Sequence, residues 1–169
     1  ATGHGPSMSP TPESPRKFLV IADGSAEFGA ALRFACRRAR STGGTVAVLQ
    51  ILAPAVFEHW SGVRDEIERQ AREAALEAAA VFTPLVRAET GCDPELILLQ
   101  ADDARDALRK AISADRDIKI LVLAAAVGGR GPGPLVASIA REGVRWGGRN
   151  LPVTVVPGDL SDAEIDDLA

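Results

Sequence analysis

Lys17–Ala22 reads KFLVIA, and Asp23-Gly24-Ser25 follows it without a break. The run is short, almost continuously apolar and rich in branched side chains. It has no polar face to offer water, which suits a parallel strand buried on both sides. Ser25 is a suitable N-cap for the segment that follows. There Phe28, Leu32, Ala35 and Ala39 share one helical face while Arg33, Arg37 and Arg40 point elsewhere, and Gly43-Gly44 stops the helix. Thr45–Leu52 (TVAVLQIL) is a second strand of the same kind, closed by Pro54.

The alternation continues toward the C-terminus. Val63, Ile67, Ala71, Ala74, Ala78 and Val81 recur at steps of three and four, which predicts a long helix from about Trp60 to Val81. Asp65/Arg69, Glu68/Arg72 and Arg69/Glu73 set opposite charges four apart on its wet side. Pro84 ends or kinks it. Glu95–Gln100 (ELILLQ) is a third strand, Asp102–Ala114 a short helix and Ile118–Ala124 (IKILVLA) a fourth strand. A Gly/Pro loop spans Gly128–Gly133, a fourth helix Leu135–Trp146 is ended by Gly147-Gly148, and Leu151–Val156 (LPVTVV) is the fifth strand. Five strands alternating with four helices predict one α/β domain around a parallel sheet, with right-handed crossovers.

Composition narrows the function classes. The chain has 169 residues, 46% hydrophobic and 25% charged, enough for one core without disulfides or metals. A formal net charge of -4 argues against nucleic acid or an anionic membrane as the main partner. No apolar run approaches the roughly 20 residues of a membrane span, and no secretory leader is visible. Two cysteines, Cys36 and Cys92, read as free thiols in a reducing cytoplasm. Two histidines, His4 and His59, are too few for a His-rich metal site.

The charge is uneven. Residues 1–15 hold four prolines and one acid, Glu13, and read as a disordered tail. Residues 157–169 hold five acids and no base. These tails carry -1 and -5 of the formal -4, so residues 16–156, the folded domain, carry +2. Ser161-Asp162-Ala163-Glu164 is a capping box flanked by Leu160 and Ile165, which predicts a short helix Asp162–Leu168 packed by Leu160, Ile165 and Leu168.

In open parallel sheets, ligands bind beyond the carboxyl ends of the strands, where strand order reverses. That rule points to Asp23-Gly24-Ser25 and to Ala124–Gly133. Catalytic chemistry has weak candidates. Cys36 lies on an apolar helix face, and Cys92 has no flanking base to lower its pKa. Ser25 and Ser138 have only His59, outside the N-terminal tail, as an imidazole base. Asp103 reads as a helix cap rather than half of a metal pair with Asp102. Trp60 and Trp146 read as packing anchors, Trp146 alternatively as a residue near a dimer seam.

Several stretches in order then resemble the universal stress protein family over about residues 16–156. They are the strand ending in Asp-Gly-Ser, the helix with Ala31–Ala35 (ALRFA), and the Gly-Gly-Thr-Val step at 43–46. They continue with the strand, glycine loop and Pro-Leu-Val-Ala-Ser of Leu121–Ser138, and the closing Pro152–Val156. The resemblance implies a Rossmann-like sheet of five parallel strands in order 3-2-1-4-5 with helices on both faces. It implies a cytoplasmic homodimer through Leu151–Val156, acting as a regulator and hydrolysing ATP slowly at most. Many members bind ATP, with Mg2+, or AMP, through an acid after the first strand and a Gly-x-x-Gly-x9-Gly-Ser/Thr loop; no ligand is needed for folding.

Carried onto this chain, Asp23 stands where the ribose-binding acid belongs, with Gly24 and Ser25 beside it, though Asp-Gly is also an ordinary turn. The backbone near Leu52 or Ala53 would face adenine. The loop departs from the pattern. Gly128 and Gly131 give Gly-x-x-Gly, but the residue ten positions on is Arg141. Alternatively Ala137-Ser138 stands for the Gly-Ser pair, Ala124 or Ala125 for the first glycine and Gly128 for the second, one residue short. Gly128, Gly129, Gly131 and Ser138 remain as phosphate donors, with Arg130 either a replacement contact or a solvated side chain. Two readings follow: a nucleotide-binding regulator, or a nucleotide-free module that binds a protein through its altered loop and acidic tail.

Overall fold

The computed structural model describes residues 14–52 and 61–169. His4, Ala53, Pro54, His59 and Trp60, with the readings made of them and of the first 13 positions, lie outside the described residues. The elements are β1 (Lys17–Ala22), α1 (Phe28–Thr42), β2 (Thr45–Leu52), α2 (Ser61–Thr90), β3 (Glu95–Gln100), α3 (Ala104–Ala114) and β4 (Ile118–Ala125). They continue with α4 (Pro134–Glu142), β5 (Arg145–Trp146), β6 (Arg149–Asn150), β7 (Val153–Pro157) and α5 (Asp162–Leu168).

The sheet is parallel throughout, in order β3-β2-β1-β4-β7. The expected five-strand order thus holds for the main strands, but its last member is seventh in the chain because a small hairpin precedes it. The double-sided apolar run of β1 explains its central place. Phe18 and Val20 point to one face, against Leu32 and Cys36 of α1 and Ala79, Phe82 and Val86 of α2. Leu19 and Ile21 point to the other, against Leu108 and Ile112 of α3 and Leu135 and Ile139 of α4. On the first face Phe28 and Phe82 meet edge to face, centroids 5.6 Å apart.

Four local expectations need correction. Ser25 does not cap α1: Asp23 Oδ1 accepts the Ser25 N–H at 3.0 Å, a turn forms there, and the helix begins at Phe28. Pro84 does not end α2, which runs on to Thr90. The carbonyl that loses its donor to Pro84 belongs to Ala80, on the exposed side where water serves it, while Val86 beyond is fully buried. Arg69 pairs with Glu66 at 2.5 Å and with Glu73, not with Asp65. The fourth helix stops at Glu142, not at Trp146. Gly147 (φ 58°) and Gly148 (φ 90°) form the two-residue turn between β5 and β6, a turn that needs positive φ at both central positions.

The hairpin is tied down by Arg149, whose guanidinium donates to the carbonyls of Ile112, Asp115, Arg116 and Ile118 where α3 ends. The predicted capping box forms at Ser161 and Glu164, starting α5 at Asp162. Ile165 is buried and Leu160 packs on the core, but Leu168 faces solvent rather than packing. Helix α5 lies on α1, where Arg37 pairs with Asp166 at 2.7 Å and Arg33 with Asp162 at 3.5 Å. Two of the five acids of the tail, Asp162 and Asp166, therefore sit on arginines of α1.

Cys36 is enclosed in the core, and burial pushes its thiol up to about 12, with Glu89 adding to the rise. Cys92 is exposed. Alkylation of the folded protein at neutral pH is expected to label Cys92 and leave Cys36 unmodified until denaturant is added. Intact-mass measurement checks this, and two adducts on the native chain would show that the α1 core opens.

Candidate functional site

The chain leaves β1 toward α1 on one face and β4 toward α4 on the other, so the connections diverge above adjacent strand ends. A cleft of about 560 Å³ opens there. Ile21, Val122, Leu123 and Ala124 form its floor, and Phe28 and Ala31 of α1 form one wall. Leu135 and Val136 of α4 with Ala104 of α3 form the other. The polar groups gather in two places. Asp23, Ser25 and Glu27 stand on the β1–α1 connection; Asp103, Arg105, Ser138 and Glu142 stand on α3 and α4.

Of the residues predicted from the sequence, the cleft brings together Asp23, Ser25 and Ser138. Gly24 sits within the turn that Asp23 closes, at φ 74°. Leu52 is buried at the end of β2 and does not line the cleft. Ala125 ends β4, and its carbonyl accepts the Gly158 N–H at 2.9 Å. Gly128, Gly129, Arg130 and Gly131 are exposed at the tip of the loop, away from the cleft walls. The loop is pinched at its base, where Ala126 N–H meets the Pro132 carbonyl at 3.1 Å, so the cleft meets only Ala126, Pro132 and Gly133.

Helix α4 begins with Pro134, preceded by Gly133 at φ 97°. The first N–H groups of a helix lack partners within it, and Pro132 and Pro134 contribute none. Gly133, Leu135 and Val136 supply the backbone donors on this wall.

Arg105 and Glu142 are the residues that sequence reasoning missed. Arg105 donates Nη1–H to Ser138 Oγ at 2.9 Å and Nη2–H to the Gly143 carbonyl at 3.3 Å. Its Nε meets Glu142 Oε2 at 2.7 Å, and its guanidinium lies 4.8 Å from the Trp146 ring centroid. It therefore joins α3, α4 and the β5–β6 hairpin. Its partners are 33 or more positions away, so no local pattern marks it. Asp103 is the cap expected for α3, accepting the Asp106 N–H at 2.8 Å. Among the described residues no group of three or more His, Cys, Asp or Glu is placed to hold a metal ion. Nor is any described helix long and apolar enough to cross a membrane.

An open parallel sheet with helices on both faces and a cleft at its switch point defines a Rossmann-like α/β domain. A sequence model of the universal stress protein family matches residues 15–157, and the chain belongs to that family. No curated protein matches the chain in sequence. Among solved structures it is similar to universal stress protein UspA from Lactobacillus plantarum, with TM-score 0.63, 15% identity, and coverage of 85% of this chain and 99% of that one. A universal stress protein from Archaeoglobus fulgidus in complex with dAMP gives TM-score 0.51 and 24% identity over 85% and 98%. A family protein from Arabidopsis thaliana with AMP bound gives 0.54 and 19% over 85% and 92%.

Proposed function

We propose that the chain is a cytoplasmic regulatory protein that binds an adenine nucleotide in the cleft between β1 and β4. The observation that carries this reading is the cleft itself, an apolar slot at the switch point with Asp23 at its rim. The floor of Ile21, Val122 and Leu123 suits a flat base. Asp23 gives one oxygen to the Ser25 N–H and has lone pairs left for ribose hydroxyls. Ser138, with the Gly133–Val136 backbone, faces the phosphate end, while the exposed loop tip Gly128–Gly131 stands clear of the cleft. Relatives of the same fold are described with AMP and dAMP bound. The role is binding rather than turnover.

A second copy of the chain is the partner this reading includes. Among the described residues β7 is a sheet edge with β4 as its one strand neighbour, and Val155 on it is exposed. Antiparallel pairing of Leu151–Val156 with its symmetry mate covers that edge and closes a dimer. The alternative, a nucleotide-free module binding a protein through its altered loop and acidic tail, has less free charge on the tail than the sequence offers, because α5 pairs Asp162 and Asp166 with Arg33 and Arg37.

Calorimetric titration with AMP tests the reading, alongside mass spectrometry of nucleotide released from the purified protein by denaturation. Hydrogen bonds to a charged group are worth about 1.5–3 kcal/mol, so Asp23→Ala is expected to weaken AMP roughly ten- to hundredfold. No released nucleotide and no heat at millimolar AMP would overturn the proposal.

A further inference from the structure

We infer that the cleft takes a nucleoside bearing at most one phosphate and rejects polyphosphates, and that Arg105 sets this limit. The inference rests on the nucleotide reading above and concerns the ligand class within it.

The charge of the walls is the first ground. Four carboxylates line the cleft, Asp23, Glu27, Asp103 and Glu142, against one cation among the described lining residues, Arg105. Glu142 and Asp103 flank the phosphate end. Each added phosphate brings negative charge toward like charge in a partly enclosed site, where repulsion is stronger than in open water.

The supply of donors is the second ground. A guanidinium has five N–H groups. Arg105 directs three of them to Glu142, Ser138 and the Gly143 carbonyl, which leaves two. Ser138 Oγ accepts from Arg105, so its own hydrogen is available to donate. Two N–H groups and one O–H, beside a helix start, make a complement for a single phosphate. A second phosphate finds fewer donors and more negative charge. Toward α3 it meets Asp103. Toward the loop the cleft is lined by Ala126, Pro132, Gly133 and Pro134; the two prolines lack N–H groups and the Ala126 N–H is bonded to the Pro132 carbonyl, which leaves Gly133 N–H as the one backbone donor among these four.

Arg105 is also held in place. It stacks on buried Trp146 and is paired with Glu142, so it cannot swing outward to follow a longer chain of phosphates without breaking those contacts. It is a specificity-determining residue for the phosphate end.

The test is calorimetric titration of the full chain with adenosine, AMP and ATP at fixed ionic strength, with and without Mg2+. AMP is expected to bind at least as tightly as adenosine, and ATP at least about tenfold more weakly than AMP. Arg105→Gln is expected to remove most of the difference in affinity between AMP and adenosine, and thermal unfolding of the variant reports whether the cleft is still folded. Glu142→Gln removes one carboxylate and unloads Arg105, and is expected to narrow the gap between AMP and ATP. ATP binding as tightly as AMP overturns the limit but leaves the nucleotide reading standing. AMP affinity indifferent to both substitutions overturns the role of Arg105. No binding by any of the three ligands overturns the nucleotide reading, and this inference with it.

Discussion

Trp146→Ala is expected to cost about 3–5 kcal/mol of folding stability, the range for deleting a buried aromatic side chain. Trp146 is 1% exposed and heads the fully buried side chains by volume. It reaches the core face built by Leu108, Ile112, Leu121 and Leu151, so its loss opens a cavity between α3 and the sheet. The cation above its ring, Arg105, also loses its platform. Native domains hold only about 5–15 kcal/mol in total, so the variant stands near the limit of folding. With a urea slope of about 1–3 kcal/mol/M, the unfolding midpoint falls by more than about 1 M. Trp146→Phe provides the control. The indole N–H is buried with no hydrogen-bond partner among the described residues, so removing it breaks no bond and forfeits only volume. A midpoint unmoved by Trp146→Ala would mean that the β5–β6 hairpin is not part of the cooperative core.

The strands were legible because each is a continuous apolar run bounded by turn residues. The bounds expected for β1, β2 and β3 coincide with those observed; β1 and β2 are buried on both faces, and the half-buried edge strand β3 is an apolar run between Pro94 and Asp102. Helix α5 was legible through its capping box alone. The misreadings share a cause. Pro84 and Gly147-Gly148 are punctuation marks whose meaning depends on what packs around them. Tertiary contacts of Val86 carry α2 past a proline, and the same Gly-Gly that stops a helix also makes a hairpin turn. Half of the cleft was legible in the same way. Asp23-Gly24-Ser25 ends a strand beside its switch point, which topology marks as a rim. Arg105 and Glu142 were not, because they reach the cleft from helices whose approach is set by packing.

Gly158→Ala is expected to destabilise the fold by about 1–3 kcal/mol and to disturb the cleft at the same time. A Cβ at this position would stand 2.3 Å from Glu27 Cγ, 2.8 Å from Glu27 Cβ and 2.7 Å from the Ala125 carbonyl oxygen. The glutamate end can rotate away. The carbonyl cannot, because it ends β4 and already accepts the Gly158 N–H at 2.9 Å. Relief must therefore come from moving the β7–α5 connection outward or from pushing Glu27 along the α1 wall, and Glu27 lines the cleft. Thermal unfolding reads the first effect, at about 2–4 °C per kcal/mol for a chain of this size. AMP titration reads the second. The double variant Glu27→Ala, Gly158→Ala tests the first obstacle, since it removes the Cγ clash and leaves the carbonyl and the residue-27 Cβ. Partial recovery of stability in the double variant is the expected result. Gly158→Ala with unchanged unfolding temperature and unchanged AMP affinity would show that the turn after β7 yields freely, and that α5 can shift without moving the cleft.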